Sequence, residues 1–186
     1  MSKKALLFLC FFTLFGFSTL GIYLMTFVQD RNAFQTISSG QPFGIQIWKG
    51  TIFGTIAAVN AIILINAPFF RKTKNFFASL FKETQFNWWL AIFCSFCAAF
   101  GEELLFRGAI QYSFGLWPTA VLFVFIHGYL NPFNWRLSIY GLLLIIVSAG
   151  LGYLMNSYGL VSAISAHFVF DLLLFFVLLR EEKQTE

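Results

Sequence analysis

ALLFLCFFTLFGFSTLGIYLMTFV, residues 5–28, runs for 24 positions without a charged side chain. As a helix, ~20 such residues cross the ~30 Å of hydrocarbon in a bilayer. Ile47–Phe70 and Ile139–Leu154 match or approach that length. The rest of the chain agrees: of 186 residues 59% are apolar and 11% charged, and the mean hydropathy is +0.77, whereas soluble domains carry roughly a quarter charged residues. The composition excludes a soluble globular protein and predicts an all-α, polytopic membrane bundle. About 150 hydrophobic residues at ~20–25 per span give six spans at most, so any function must sit inside the bundle.

The first span is read as uncleaved, because its apolar stretch exceeds the ~7–15 residues of a signal h-region. Gln29–Gln46 reads as a polar loop. A second span opens at Trp48 and closes near Pro68, and a third runs from Trp88 to about Ser113. The others are read from Trp117 to Asn131-Pro132, from Leu137 to Met155, and from Leu160 to Leu179. Between the second and third, Phe76, Phe77, Leu80 and Phe81 recur at helical spacing opposite Lys72, Lys74 and Lys82. That pattern suits either a helix lying in the membrane interface or a solvated linker. Lys3, Lys4, Arg71, Lys72, Lys74, Lys82, Arg136, Arg180 and Lys183 then fall on one face, against Arg31 and Lys49 on the other. The basic face is expected to be cytoplasmic, with both termini inside. The net charge of +4 reflects that loop placement, and nucleic acid is not an expected partner. Cys10, Cys94 and Cys97 lie within apolar segments, where thiols pack as small hydrophobes.

Six ionisable residues fall within the predicted spans: Glu102, Glu103 and Arg107 in the third, His127 in the fourth, His167 and Asp171 in the sixth. Each costs at least ~2.5–3.5 kcal/mol at mid-membrane on insertion scales, so together they predict a shared polar interior. Counted from the non-basic face at ~1.5 Å per residue, Glu102, His127, His167 and Asp171 all reach a depth of roughly 12–20 Å, which argues for one buried site. Glu103 and Arg107, four apart, suit an ion pair. Glu102, about 100° around the helix, is left for chemistry.

Glu102-Glu103-Leu104-Leu105-Phe106-Arg107 reads E-E-x-x-x-R, Phe123 to His127 reads F-x-x-x-H, and His167 to Asp171 reads H-x-x-x-N/D. In this order and spacing they resemble the three motifs of the CPBP family. These are the CAAX-protease and bacteriocin-processing intramembrane proteases, also called Abi proteins, related to the eukaryotic CAAX prenyl endopeptidase. The resemblance covers roughly Trp88 to Leu179. It divides the chain into two N-terminal spans with the basic segment (1–87), a catalytic four-helix core (88–180) and a polar tail (181–186).

The resemblance implies hydrolysis of peptide bonds in a membrane-associated peptide or protein precursor at a prokaryotic plasma membrane. By matching positions, Glu102 activates water with help from His127, His167 serves the oxyanion or the water, and Glu103, Arg107 and Phe123 support them. Amide hydrolysis needs such a base, a proton donor and an oxyanion stabiliser. Glu102, His127 and His167 are also the ligand types of a catalytic zinc site, while a competing account of the family is a glutamate protease without metal. Asp171 stands where relatives often carry Asn. An ionised carboxylate only accepts hydrogen bonds, so Asp171 is protonated, orients His167 or ligates metal, and orientation of His167 is the expected role. The rival reading is a non-catalytic relative acting in bacteriocin self-immunity or as a regulatory scaffold.

Overall fold

The computed structural model describes residues 2–75, 84 and 86–182. The expected interfacial segment through Phe76, Phe77, Leu80, Phe81 and Lys82 lies outside the described residues, as does the tail from Lys183. Among the described residues all regular structure is helical. The long helices are α1 (Lys3–Val28), α3 (Phe43–Asn66), α4 (Trp88–Phe114), α6 (Trp135–Tyr158) and α7 (Leu160–Glu182). Two shorter ones are α2 (Ala33–Ser38) and α5 (Leu116–Ile126). Among the described residues five helices are thus long and apolar enough to cross a membrane, with α5 a shorter apolar sixth. The protein is an integral, multi-pass membrane bundle.

Asparagines start several of these helices by accepting from the first-turn amides, as Asn87 does from Leu90 (3.1 Å) and Asn134 from Leu137 (3.2 Å). Such side-chain acceptors satisfy donors that have no partner within the helix. The fourth apolar run departs from expectation. Predicted to continue to Asn131-Pro132, α5 stops after 11 residues, or ~16 Å of rise, about half the hydrocarbon thickness. Gly128 follows with φ +76°, a conformation that an L side chain rarely adopts. The chain beyond it is held without a helix: the Ser138 hydroxyl bonds both the amide and the carbonyl of Asn131 at 2.9 Å. Irregular backbone at membrane depth is tolerated where it is satisfied internally or lines a cavity, and Gly128, Tyr129 and Asn131 do line one.

Helices in lipid gain little from the hydrophobic effect, so they associate by close packing of small residues. On α3, a Cβ at Gly50 would come within 2.3 Å of the Ser162 carbonyl oxygen, and one at Gly54 within 2.3 Å of that of Ala166. Ala57, Ala58 and Ala61 extend the buried stripe. This seats α7, the carrier of His167 and Asp171, on α3. Gly101 on α4 meets α1 in the same way, its Cβ position 2.1 Å from the Thr13 carbonyl oxygen.

Over Leu104–Ile110, α4 widens to a π-helix. Two residues of the polar loop bond its carbonyls from outside: Arg31 donates to Gly108 (2.9 Å) and Gln29 to Ala109 (2.8 Å). At the same end, the Gln41 amide donates to the Tyr158 carbonyl at 2.8 Å. Residues 29–46 therefore cover the end of the bundle where α4 finishes and α7 begins.

Gly54→Val is expected to force α3 from α7 and lower the thermal midpoint in detergent, overpacking costing typically ~1–3 kcal/mol. Gly44→Ala, with nothing within 4 Å of its Cβ position, is expected to leave the midpoint unchanged or raise it. Equal midpoints for the two variants would refute the close-packed seam.

Candidate active site

The last helical turn before the π segment of α4 presents Glu102 and Glu103, and the segment itself carries Arg107. Glu103 is fully buried and Arg107 nearly so. Their ion pair spans 3.1 Å between Oε1 and Nη1. Arg107 also donates through Nη2 to the Ser148 hydroxyl (2.7 Å) and carbonyl (3.0 Å) on α6. Its guanidinium lies over the Phe123 ring, 4.7 Å from the centroid. Phe123 in turn stands 4.4 Å from the His127 ring and 5.9 Å from that of His167. The aromatic residue of the second motif thus packs the cation and both imidazoles together.

The same Glu103 oxygen that pairs with Arg107 lies 2.8 Å from Nδ1 of His167. A carboxylate held ionised by a guanidinium can only accept, so His167 carries its proton on Nδ1. His127 follows the final residue of α5, and its Nδ1 sits 2.6 Å from the Phe123 carbonyl oxygen. A carbonyl also only accepts, so the tautomer is the same. Both imidazoles therefore turn Nε2 to one atom, Oε2 of Glu102, at 3.5 Å from His127 and 3.9 Å from His167. Asp171, one turn beyond His167, places Oδ2 at 3.5 Å from the His167 Nε2.

All seven residues singled out from the sequence are brought together, but two of the expected parts differ. Glu103, expected only to hold its helix, occupies the orienting position on His167. Asp171, expected to orient His167, faces the opposite nitrogen. The physical reason is that Nδ1 points across to α4, where Glu103 lies 2.8 Å away, while Asp171 on α7 reaches the far side of the ring.

Residues 84–173 match the family model described as Rce1-like, type II CAAX prenyl endopeptidase. Over that segment, just under half of the chain, the protein is similar to the Rce1-like family. No curated protein and no solved structure matches it significantly. The family it resembles is one of CAAX endopeptidases.

The site opens into a cavity of about 580 Å³. Its wall along α7 runs from His167 to Val177, ~15 Å of helix. Ile62 and Ile65 from the end of α3, and Lys74 beyond it, line the far part, so the cavity leads toward the end of the bundle that carries the basic residues. Among the described residues no three of His, Cys, Asp and Glu are placed to hold a metal ion.

Ser148, Tyr129, Tyr140 and Lys74 also line this cavity and were not singled out from the sequence. For Ser148 a signal existed, as the one serine in the apolar run from Ile139 to Leu154. For the tyrosines none did, since aromatic residues are common throughout the chain.

Arg107→Met is expected to destabilise the protein by about 3–5 kcal/mol, the usual cost of stripping one partner from a buried ion pair. Glu103→Gln/Arg107→Met is expected to unfold later than Arg107→Met alone in a thermal scan in detergent. A double variant losing the sum of the two single losses would show that the charges are not coupled.

Proposed function

We propose that the protein is an intramembrane endopeptidase that hydrolyses a peptide bond of a membrane-associated substrate, with Glu102 as general base. The observation that supports this most directly is the convergence of two imidazole Nε2 atoms on one carboxylate oxygen at 3.5 and 3.9 Å. These separations are too long for direct hydrogen bonds and suit a water molecule shared among the three groups. Glu102 takes a proton from that water as its oxygen adds to the scissile carbonyl carbon. The same proton then goes to the leaving amine as the carbon–nitrogen bond breaks, yielding a carboxylic acid and an amine. His127, tethered to Phe123, steadies the water, and His167, held by Glu103, fixes the geometry from the other side. The family name points to substrates ending in a CAAX sequence with a prenyl group. A wall of Ile62, Ile65, Leu144, Phe170, Leu174 and Phe175 suits such an apolar tail.

One observation favours a second reading. Asp171, an acceptor when ionised, stands where an amide could donate to an oxyanion, which would suit a non-catalytic scaffold. The test is cleavage of quenched-fluorescent peptides, one farnesylated at a terminal CAAX sequence and one unprenylated but membrane-associated, by purified protein in detergent. Wild type is expected to cut at least one, and Glu102→Gln to lose about 10²–10⁴-fold in rate, the usual worth of a general base, with its thermal midpoint unchanged. Glu102→Gln cutting as well as wild type would refute the assignment, and no cutting by wild type, with Glu102→Gln retaining function in cells, would establish the scaffold. Phenanthroline separates the two chemistries, since cleavage that survives it is glutamate-driven and cleavage lost and restored by zinc is metal-dependent.

A further inference from the structure

The chain has three cysteines, all buried and free, and the helices gather them at one place. Cys10 on α1 and Cys94 on α4 are 84 residues apart in sequence, yet their sulfurs lie 3.2 Å from each other. Cys97, one turn along α4, belongs to the same apolar cluster, together with Leu6, Leu90, Ala91 and Leu179. The hydrolysis proposed above uses none of these thiols.

Their depth decides what can reach them. Cys10 comes seven residues after Lys3 and Cys94 six after Trp88, so both sulfurs sit ~10 Å along their helices, within apolar sequence on each. Outside them Phe11, itself 49% exposed, meets the Phe93 ring edge to face at 5.5 Å. Cys10 and Cys94 each keep 7% exposure and Cys97 none. A reagent for the Cys10–Cys94 pair therefore comes through acyl chains, and an apolar one is favoured over a water-soluble one.

The pair also occupies a mechanically useful position. Only 17% of the apolar window of α1 is buried, so its hold on α4 rests on a few contacts. Along the middle these are close backbone approaches, Gly101 to Thr13 and Gly21 to Leu104. At one end Gln29 and Arg31 fasten the two helices by donating to the Ala109 and Gly108 carbonyls. At the opposite end the sulfur contact stands in the corresponding place.

We propose that Cys10 and Cys94 are a modification site, a dithiol that an apolar hydroperoxide converts to a disulfide, fastening α1 to α4 at the end opposite Gln29 and Arg31. One sulfur takes the outer oxygen of the peroxide as the O–O bond breaks, and the remainder accepts that thiol's proton and leaves as an alcohol. The second sulfur displaces the oxygen from the resulting sulfenic acid, and water departs with the second thiol's proton. The two sulfurs together lose two electrons, and the peroxide gains them. To bond, the sulfurs close from 3.2 Å to the ~2.05 Å of a disulfide, a shift of about 1 Å shared between two side chains. This site is independent of the hydrolase reading.

The test exposes reduced, folded protein in detergent to cumene hydroperoxide or, separately, hydrogen peroxide, and blocks remaining thiols with N-ethylmaleimide before digestion and mass spectrometry. Wild type is expected to yield a peptide pair joining Cys10 to Cys94, faster with cumene hydroperoxide than with hydrogen peroxide, and released by dithiothreitol. Its thermal midpoint is expected to rise by about 5–10 °C on oxidation, as for an unstrained disulfide. Cys97→Ala is expected to keep both effects, and Cys10→Ala or Cys94→Ala to lose both. Wild type showing singly oxidised cysteines without the linked pair, a link to Cys97 instead, or linkage only when the chain is denatured first would overturn the proposal. Equal rates with the two peroxides would overturn access through lipid, and a link without a rise in midpoint would overturn the fastening of α1. Wild type alone supplies the linked mass, the rates and the midpoint, so these results decide the matter even where an alanine variant fails to fold.

Discussion

One carboxylate organises the interior of this bundle. Glu103 is fully buried, and an ionised group there has no water to solvate it, so its cost must be met by partners. It has two, Arg107 at 3.1 Å and His167 at 2.8 Å, both on Oε1. Arg107 carries the link on to the Ser148 hydroxyl and carbonyl. A single side chain thus joins α4, α6 and α7 by polar contacts worth more in hydrocarbon than at a surface. It also decides which nitrogen of His167 bears the proton, and so which nitrogen is turned toward Glu102.

That joint works only because the helices come close enough to make it, and the bilayer offers no hydrophobic drive for their approach. The small residues supply it. Gly50 and Gly54 let α7 lie against the backbone of α3, and Gly101 lets α1 lie against α4 just before the glutamate pair. The phenylalanines divide accordingly: Phe8, Phe15 and Phe27 face outward, whereas Phe106 and Phe123 are packed edge to face at 5.0 Å between the polar groups. In this arrangement the aromatic residues of the interior exclude water from around the ion pair, while those outside do no more than match the lipid.

The parts legible in the sequence are those governed by local spacing. Apolar run length predicted the long helices, and the i, i+4 interval predicted the Glu103–Arg107 pair. Equal depth counted along α4, α5 and α7 predicted that Glu102, His127, His167 and Asp171 would meet. What escaped depends on contacts between helices or on backbone torsion. His127 and Gly128 interrupt the apolar run after Ile126, but the span reads on to Asn131-Pro132, whereas the end of α5 is decided by the positive φ of Gly128 and the hydrogen bonds of Ser138 to Asn131. The interval between His167 and Asp171 matched that of a helical ion pair, yet the nitrogen that needed an orienting partner faces another helix. Spacing along one chain segment cannot report which side of a ring a distant carboxylate will take.

Charge balance constrains how such a site can turn over. Glu102, Glu103 and Asp171 bring three carboxylates into one cluster, where Arg107 pairs with Glu103. The two imidazoles are therefore part of the charge accounting as well as of the geometry. A reaction that created or removed a net charge there would meet the full cost of charging a low-dielectric interior. Passing one proton from water to Glu102 and onward to the leaving amine, as proposed, restores the cluster to its starting charge at each turnover.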